Sequence, residues 1–287
     1  MSFPFWKYHG AGNDFILVEG DAGDWSRLAP ALCDRRHGIG GDGVLVLLPS
    51  AAADVRMRMF NPDGTEDDCG NGLRCLAFHA LHAGQVNSPT FFVETLTAIK
   101  PVAVEVQTGC RAAVTADMGR ADLYPAAVPA RFDGNRVMGV ALDVAGETLS
   151  VHSLWTGSAH TVLFAMPDEA RFRRLSPLLE HHPAYPKRTT VLWTEVVSRT
   201  EARVRIWERG VGETLACGTG ACAVATAAWL TGRTGARVKV VSGGGSLEVE
   251  VGDDLSLRMR GPAERTFSGR WTGPALRDPT PEGRTTT

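Results

Sequence analysis

Alternation of apolar and polar positions marks much of this chain as short strands. Asp54–Phe60 reads DVRMRMF and Ala202–Trp207 reads ARVRIW, the period-two pattern of half-buried strands. Further β-rich runs are Phe15–Glu19, Val44–Leu48, Phe91–Thr95, Val102–Val106, Val137–Val144, Thr161–Ala165, Thr190–Val197, Val238–Val241, Leu247–Val251 and Leu255–Met259. Gly, Pro, Asn or Asp bound many of them. Two segments carry the helical period instead. Leu73, Leu76, Ala77, Ala80 and Leu81 form one apolar stripe that stops at Gly84, and Ala221, Val224, Ala225, Ala228 and Trp229 form another that stops at Gly232. The second is small-residue-rich on nearly every face, which suits a helix enclosed on all sides, for instance inside a curved sheet. Weaker helical patterns are expected at 25–37 and 168–181. The polar tail 276–287, with two prolines, is expected to be disordered.

An internal similarity organises these elements. Residues 56–75 read RMRMFNPDGTEDDCGNGLRC and residues 203–222 read RVRIWERGVGETLACGTGAC. Each has an alternating strand, a turn with Gly and Glu, a Cys-Gly-x-Gly step, and a helix with a second Cys. The fold class this implies is α+β, built as two related domains that each contribute one strand–turn–Cys–helix unit to a shared cleft.

Composition narrows the function. Hydrophobic residues make up 44% and charged residues 22%, a globular balance. The formal net charge of -2 argues against nucleic acid or an anionic membrane as the main partner. No apolar run approaches a membrane span, and the start MSFPFWKYHG lacks a signal-peptide pattern, so a cytoplasmic location is expected. The six cysteines are too few for a disulfide scaffold. With no Cys-x-x-Cys or His-x3-His pair, no metal is expected.

The two Cys-Gly-x-Gly turns carry the chemistry. Cys69 precedes Gly70-Asn71-Gly72, and Cys217 precedes Gly218-Thr219-Gly220, each where a helix begins. The first N–H groups of a helix lack internal partners and carry partial positive charge, so each turn is an anion site that glycine opens to close approach. A thiol there is expected to have a lowered pKa. Cys33, Cys75, Cys110 and Cys222 read as buried structural cysteines. Cys69–Cys75 and Cys217–Cys222 disulfides are disfavoured, because residues five or six apart on a helix face different ways. Two thiols facing one substrate could remove an α-proton from one face of an amino acid and return a proton to the other. That needs sulfurs roughly 7 Å apart. Helix N-termini aimed at the carboxylate would stabilise the transition state without a cofactor. Two other classes stay open: a thiol redox or sensor protein that pairs Cys69 with Cys217, and a non-catalytic binder of a small anion.

Longer motifs surround these turns. Lys7–Phe15 (KYHGAGNDF), Arg35–Gly43 (RRHGIGGDG), Asn61–Glu66 with Cys69–Cys75, Trp207–Thr214 (WERGVGET) with Cys217–Cys222, Gly244–Leu247 and Gly261–Ala263 together resemble the signatures of the diaminopimelate epimerase family over roughly residues 5–270. The resemblance implies a cofactor-independent epimerase with Cys69 and Cys217 as its acid–base pair. It implies two similar domains, each a curved, mostly antiparallel sheet wrapped around a central helix, with the last strand returning to the first. Boundaries follow at 1–118 plus 264–275 for the Cys69 domain and 119–263 for the Cys217 domain. Substrate contacts are implied for Asn13, Asn61, Glu208 and Arg209, alongside the helix-start residues Gly70, Asn71, Gly218 and Thr219. Expected partners are a small amino acid and a second copy of the chain, a homodimer. The chain departs from the family at two places: Ser158 and Thr190 stand where members carry asparagines that bind the far end of diaminopimelate, while His160 is kept. The substrate expected is therefore diaminopimelate or, as the alternative, another polar or basic amino acid such as histidine.

Overall fold

The computed structural model describes residues 2–21 and 23–273; the tail 276–287 lies outside them. Its strands form one continuous sheet, and two helices run through the concave sides of that sheet. In the first half, strands β1 (Phe3–Gly10), β2 (Asn13–Glu19), β3 (Gly43–Leu48), β4 (Val55–Phe60), β5 (Thr90–Glu94), β6 (Ile99–Thr108) and β7 (Arg111–Arg120) lie side by side in chain order. Helix α1 (Trp25–Cys33) connects the parallel pair β2–β3, and α2 (Gly70–His82) connects the parallel pair β4–β5. The second half repeats this plan. It comprises β8 (Val137–Val144), β9 (Glu147–Trp155), β10 (Ala159–Leu163), β11 (Thr190–Ser198), β12 (Glu201–Glu208), the short β13 (Gly212–Thr214), β14 (Arg237–Ser242), β15 (Gly245–Val251) and β16 (Ser256–Trp271). Helix α3 (Glu169–Glu180) links the parallel pair β10–β11, and α4 (Gly218–Leu230) links the parallel pair β12–β14.

The sixteen residues of β16 join the halves. Its first part pairs β15 on one side and β7 on the other, and Glu264–Trp271 pairs β1. Strands β1 to β7 with β16 thereby close into an eight-stranded ring around α2. The boundary expected at 263/264 falls inside this unbroken strand.

Enclosure explains the composition of the central helices. From Asn71 to Ala80 every residue of α2 is buried, and α4 is buried from Gly220 to Ala228. A helix with sheet on all sides needs small or apolar residues all round, and the alanines of α4 supply them. Three expectations need correction. Helix α1 ends at Cys33, not 37, because the Asp34 side chain accepts the N–H groups of Arg36 and His37 and turns the chain. Strand β16 runs to Trp271, twelve residues beyond Met259, because β7 and β1 both supply backbone partners for it. Cys110 is exposed at the tight β6–β7 turn and is no part of the core.

Candidate active site

Cys69 and Cys217 are the N-cap residues of α2 and α4, with nearly superimposable backbones: φ -140°, ψ 117° for Cys69 and φ -139°, ψ 113° for Cys217. Each sulfur accepts from the N–H three residues on, Gly72 at 3.4 Å and Gly220 at 3.3 Å. The glycines divide their work. Gly70 and Gly218 line the cleft with Met259 against them: a β-carbon would meet its Cε at 3.3 Å and 3.2 Å respectively. Gly72 and Gly220 lie against the sheet, where a β-carbon would sit 2.7 Å from Leu45 Cδ2 and 3.1 Å from Leu192 Cδ2. The second glycine of each turn thus lets the helix start lie close on its sheet and does not open the backbone to an anion.

Both sulfurs line one cavity of about 560 Å³ between the two helix starts. Asn13, Asn61, Gly70, Asn71, Glu208, Gly218 and Thr219 line it too, so nine of the residues picked out from the sequence converge there. The Asn13 Oδ1 accepts from the Cys69 thiol at 3.7 Å and from Asn71 Nδ2 at 3.1 Å. The Asn61 amide donates to Thr65 Oγ1 at 3.1 Å. Glu208 Oε2 accepts from Thr214 Oγ1 at 2.9 Å. Across the cleft, Cys217 Sγ lies 3.4 Å from Thr219 Oγ1.

Four expected residues stand apart from this lining. His160 is fully buried on β10 opposite Thr190 of β11, and its Nε2 lies 3.0 Å from Ser158 Oγ. Thr190 Oγ1 accepts the Arg209 N–H at 3.2 Å, while the Arg209 side chain is exposed. This cluster reaches the cleft through the loop before β10: Thr156 Oγ1 donates to the Thr219 carbonyl at 2.8 Å, at the start of α4. Ser158 and Thr190 therefore spend their hydroxyls on His160 and on Arg209 backbone.

Electrostatics overturn one expectation. The thiols are not acidified. Burial pushes Cys69 up to about 11, against smaller lowering by the Gly72 and Asn71 N–H groups and by Arg74. Burial, and then the Glu208 charge, raise Cys217 further still. Removing a thiolate from water costs more than the few N–H bonds of a helix start return. Burial also raises the Glu208 carboxyl above its ordinary value, opposed by its bonds to Thr214 and Cys217. His160 falls to about 3, because burial and the neighbouring Arg209 charge both disfavour imidazolium.

Asp42 went unassigned in the sequence. Its Oδ2 accepts from Asn13 Nδ2 at 2.7 Å, which points the Asn13 carbonyl at Cys69; its Oδ1 takes Arg35 Nη2 at 2.8 Å. Arg35 in turn grips Asp14 through two hydrogen bonds, and Asp14 pairs with the buried Lys7 at 2.6 Å. The Gly41-Asp42-Gly43 step inside RRHGIGGDG was the available signal. Among the described residues no cluster of His, Cys, Asp and Glu is arranged to hold a metal, and no helix is long and apolar enough to cross a membrane.

The family model for diaminopimelate epimerase matches residues 5–124 and 153–266. A diaminopimelate epimerase from Desulforudis audaxviator is 48% identical over 93% of this chain and 98% of its own length. One from Pelotomaculum thermopropionicum is 42% identical over the same shares. Solved structures share the fold at low identity. A hydroxyproline epimerase from Agrobacterium vitis aligns with a TM-score of 0.69 at 15% identity, over 94% of this chain and 91% of that one. A phenazine biosynthesis protein of the PhzF family from Bacillus anthracis gives 0.68 at 16%, over 94% and 99%. The match across both halves, with every cysteine-turn motif inside it, means that this chain belongs to the diaminopimelate epimerase family and so to the isomerases.

Proposed function

We propose that this chain inverts the α-carbon of an amino acid by proton transfer between Cys69 and Cys217, and that its substrate is diaminopimelate, taken from the LL to the meso form. The observation that carries the reading is the placement of the two thiols as matched N-caps on one cavity. In one direction a thiolate takes the α-proton, the Cα–H electron pair moves into the carboxylate as an enediolate, and the opposite thiol gives its proton to the other face of Cα. One C–H bond breaks and one forms, and the thiolate has changed sides. Reverse turnover starts from that state. The unpaired N–H groups at the starts of α2 and α4 bind the carboxylate as its charge grows. Because burial keeps both thiols protonated in the empty site, the thiolate forms with substrate bound, when the α-ammonium brings a positive charge beside it. Glu208, half-buried in the same wall, supplies an acceptor for that ammonium.

The name carried by the 48% and 42% identical relatives supports diaminopimelate. One observation favours the second reading, another polar or basic amino acid such as histidine: the Ser158 and Thr190 hydroxyls already have partners within the protein. The deciding experiment places the protein in deuterated water with LL-diaminopimelate, L-histidine and other single-enantiomer amino acids and follows α-proton exchange by NMR. Exchange and inversion of diaminopimelate by the unaltered protein, with inversion lost in both Cys69→Ala and Cys217→Ala, is the expected result. Full inversion by either single variant overturns the two-thiol reading. Exchange of histidine alone transfers the substrate assignment to the second reading.

A further inference from the structure

Arg74 has no exposed surface, although arginine is among the residues least often buried. It lies on α2 five residues after Cys69, and among the described residues no carboxylate pairs with it. Its guanidinium donates from Nη2 to Asn71 Oδ1 at 2.7 Å, from Nη1 to the Gly70 carbonyl at 3.3 Å, and from Nε to the Pro262 carbonyl on β16 at 3.3 Å. The seat is shaped for it. A β-carbon on Gly261 would fall 2.9 Å from Arg74 Nε, and one on Gly10 would fall 3.2 Å from Nη2. Burying a cation without an anion is costly, so a seat that maintains one calls for a use. The other half has no counterpart: five residues after its N-cap Cys217 stands Cys222.

What Arg74 holds leads directly to the cleft. Asn71 takes the guanidinium on its Oδ1 and gives its Nδ2 to Asn13, whose same oxygen faces the Cys69 thiol. We propose that Arg74 is a positioning residue of the active site: a fixed positive charge seated between α2 and β16 that holds Asn71 and Asn13 in register and favours negative charge on the Cys69 side of the cleft over the Cys217 side. The inference rests on the two-thiol reading of that site.

The other charges near Cys69 do not supply this bias. Asp67 and Asp68 precede it in the chain, Glu208 and Cys217 face it across the cleft, and Asp14, Arg35 and Asp42 form a mutually paired group at the rim. Lys100 and Asp117 lie on its far side, from β6 and β7. Of all charged groups, Arg74 lowers the Cys69 thiol most, and Glu208 opposes it more weakly; for Cys217 the leading charge is Glu208, which raises it.

The test reads the two thiols separately without substrate, so its failure is distinct from failure of the epimerase reading. The full chain is alkylated with iodoacetamide at a series of pH values, and Cys69 and Cys217 are quantified by peptide mass spectrometry. Arg74→Met is expected to slow Cys69 alkylation at pH 9 by about tenfold and Cys217 by less than about threefold. Arg74→Lys keeps the charge without the fork, so Cys69 stays within about threefold of wild type while kcat falls. Gly10→Ala, whose methyl would lie 3.2 Å from Arg74 Nη2 and touch neither thiol, should slow Cys69 selectively. A folded Arg74→Met with the wild-type profile at both thiols overturns the proposal. So does equal slowing of both, or an Arg74→Lys shift as large as that of Arg74→Met. Should Arg74→Met fail to fold by circular dichroism, Arg74→Lys and Gly10→Ala decide the matter by the same criteria, with an unchanged Cys69 rate in Gly10→Ala overturning it.

Discussion

The pH at which this site works is set by how deeply its thiols are buried. With the free Cys69 thiol near 11 and Cys217 higher, only a small fraction of molecules at neutral pH holds a thiolate, and Cys217 stays protonated well into the alkaline range. The expected outcome is a kcat/KM that climbs with pH, by about tenfold per unit between pH 7 and pH 9. A flat profile over that interval would show that ionisation is not limiting. Buried histidines act at the other end of the scale. His160 and His152, at about 3 and about 4, are neutral in the fold but protonate near 6.5 once unfolded. Their folded values are depressed, so the unfolded chain binds more protons between those limits. Stability is full above pH 6.5 and declines as pH falls toward 4, by up to about 1.4 kcal/mol per pH unit for each histidine. Urea midpoints at pH 7.5, 6 and 5 check this, and His160→Gln should show a shallower decline than wild type. At this scale the sequence was legible where a local motif fixes a residue's place, as with Cys69, Cys217 and Glu208, which meet on one cavity. It was illegible where the answer depends on solvent, as with the direction of the thiol shifts, or on contacts distant in the chain, as with the hydrogen bond from Asn13 to Asp42.

Elements were readable to the degree that their own pattern decided them. Strands β4 and β12 alternate cleanly, and α2 and α4 carry the helical period, so each could be placed from sequence. Strands β1, β7 and β9 gave no comparable signal. The first contains Pro4, the second is rich in alanine, and the third mixes serine and histidine among its apolar residues. Their neighbours make them strands: β1 is paired by β2 and β16, and β7 by β6 and β16. The helix starts carry the strongest local constraint. Alanine at position 72 would put a methyl 2.7 Å from Leu45, which is fully buried and cannot swing into solvent. Gly72→Ala should therefore lower stability by about 1–3 kcal/mol in denaturant unfolding, despite the better helix propensity of alanine. Gly220→Ala, with its closest contact at 3.1 Å, should cost less. Equal or reversed effects would contradict the view that the second glycine serves packing.

For the whole molecule, the repeat seen in the sequence is a repeat of topology, each half routing a parallel pair through a peripheral helix and the next through its central helix. What the sequence did not disclose is that one strand completes both. Strand β16 fills the single gap between β7 and β1 in the first ring while bonding to β15 of the second. A chain truncated after Leu255 lacks all sixteen residues of β16, leaving β1 and β7 with open edges. It should be aggregation-prone, with accelerated proteolysis in the Cys69 half, and a peptide spanning 256–271 should restore protection when added in trans. Protection without the peptide would mean that the first half closes by other means. The same strand carries a consequence for the time before the protein is finished. Every residue of the first ring except β16 has left the ribosome when the second half is still being made, yet the ring cannot shut until the last strand emerges. The first half must wait, two edges unpaired, through the synthesis of more than a hundred residues. The nascent chain is thus exposed to mispairing and to chaperone capture until β16 emerges, and a slow stretch of codons before Ser256 would lengthen that interval.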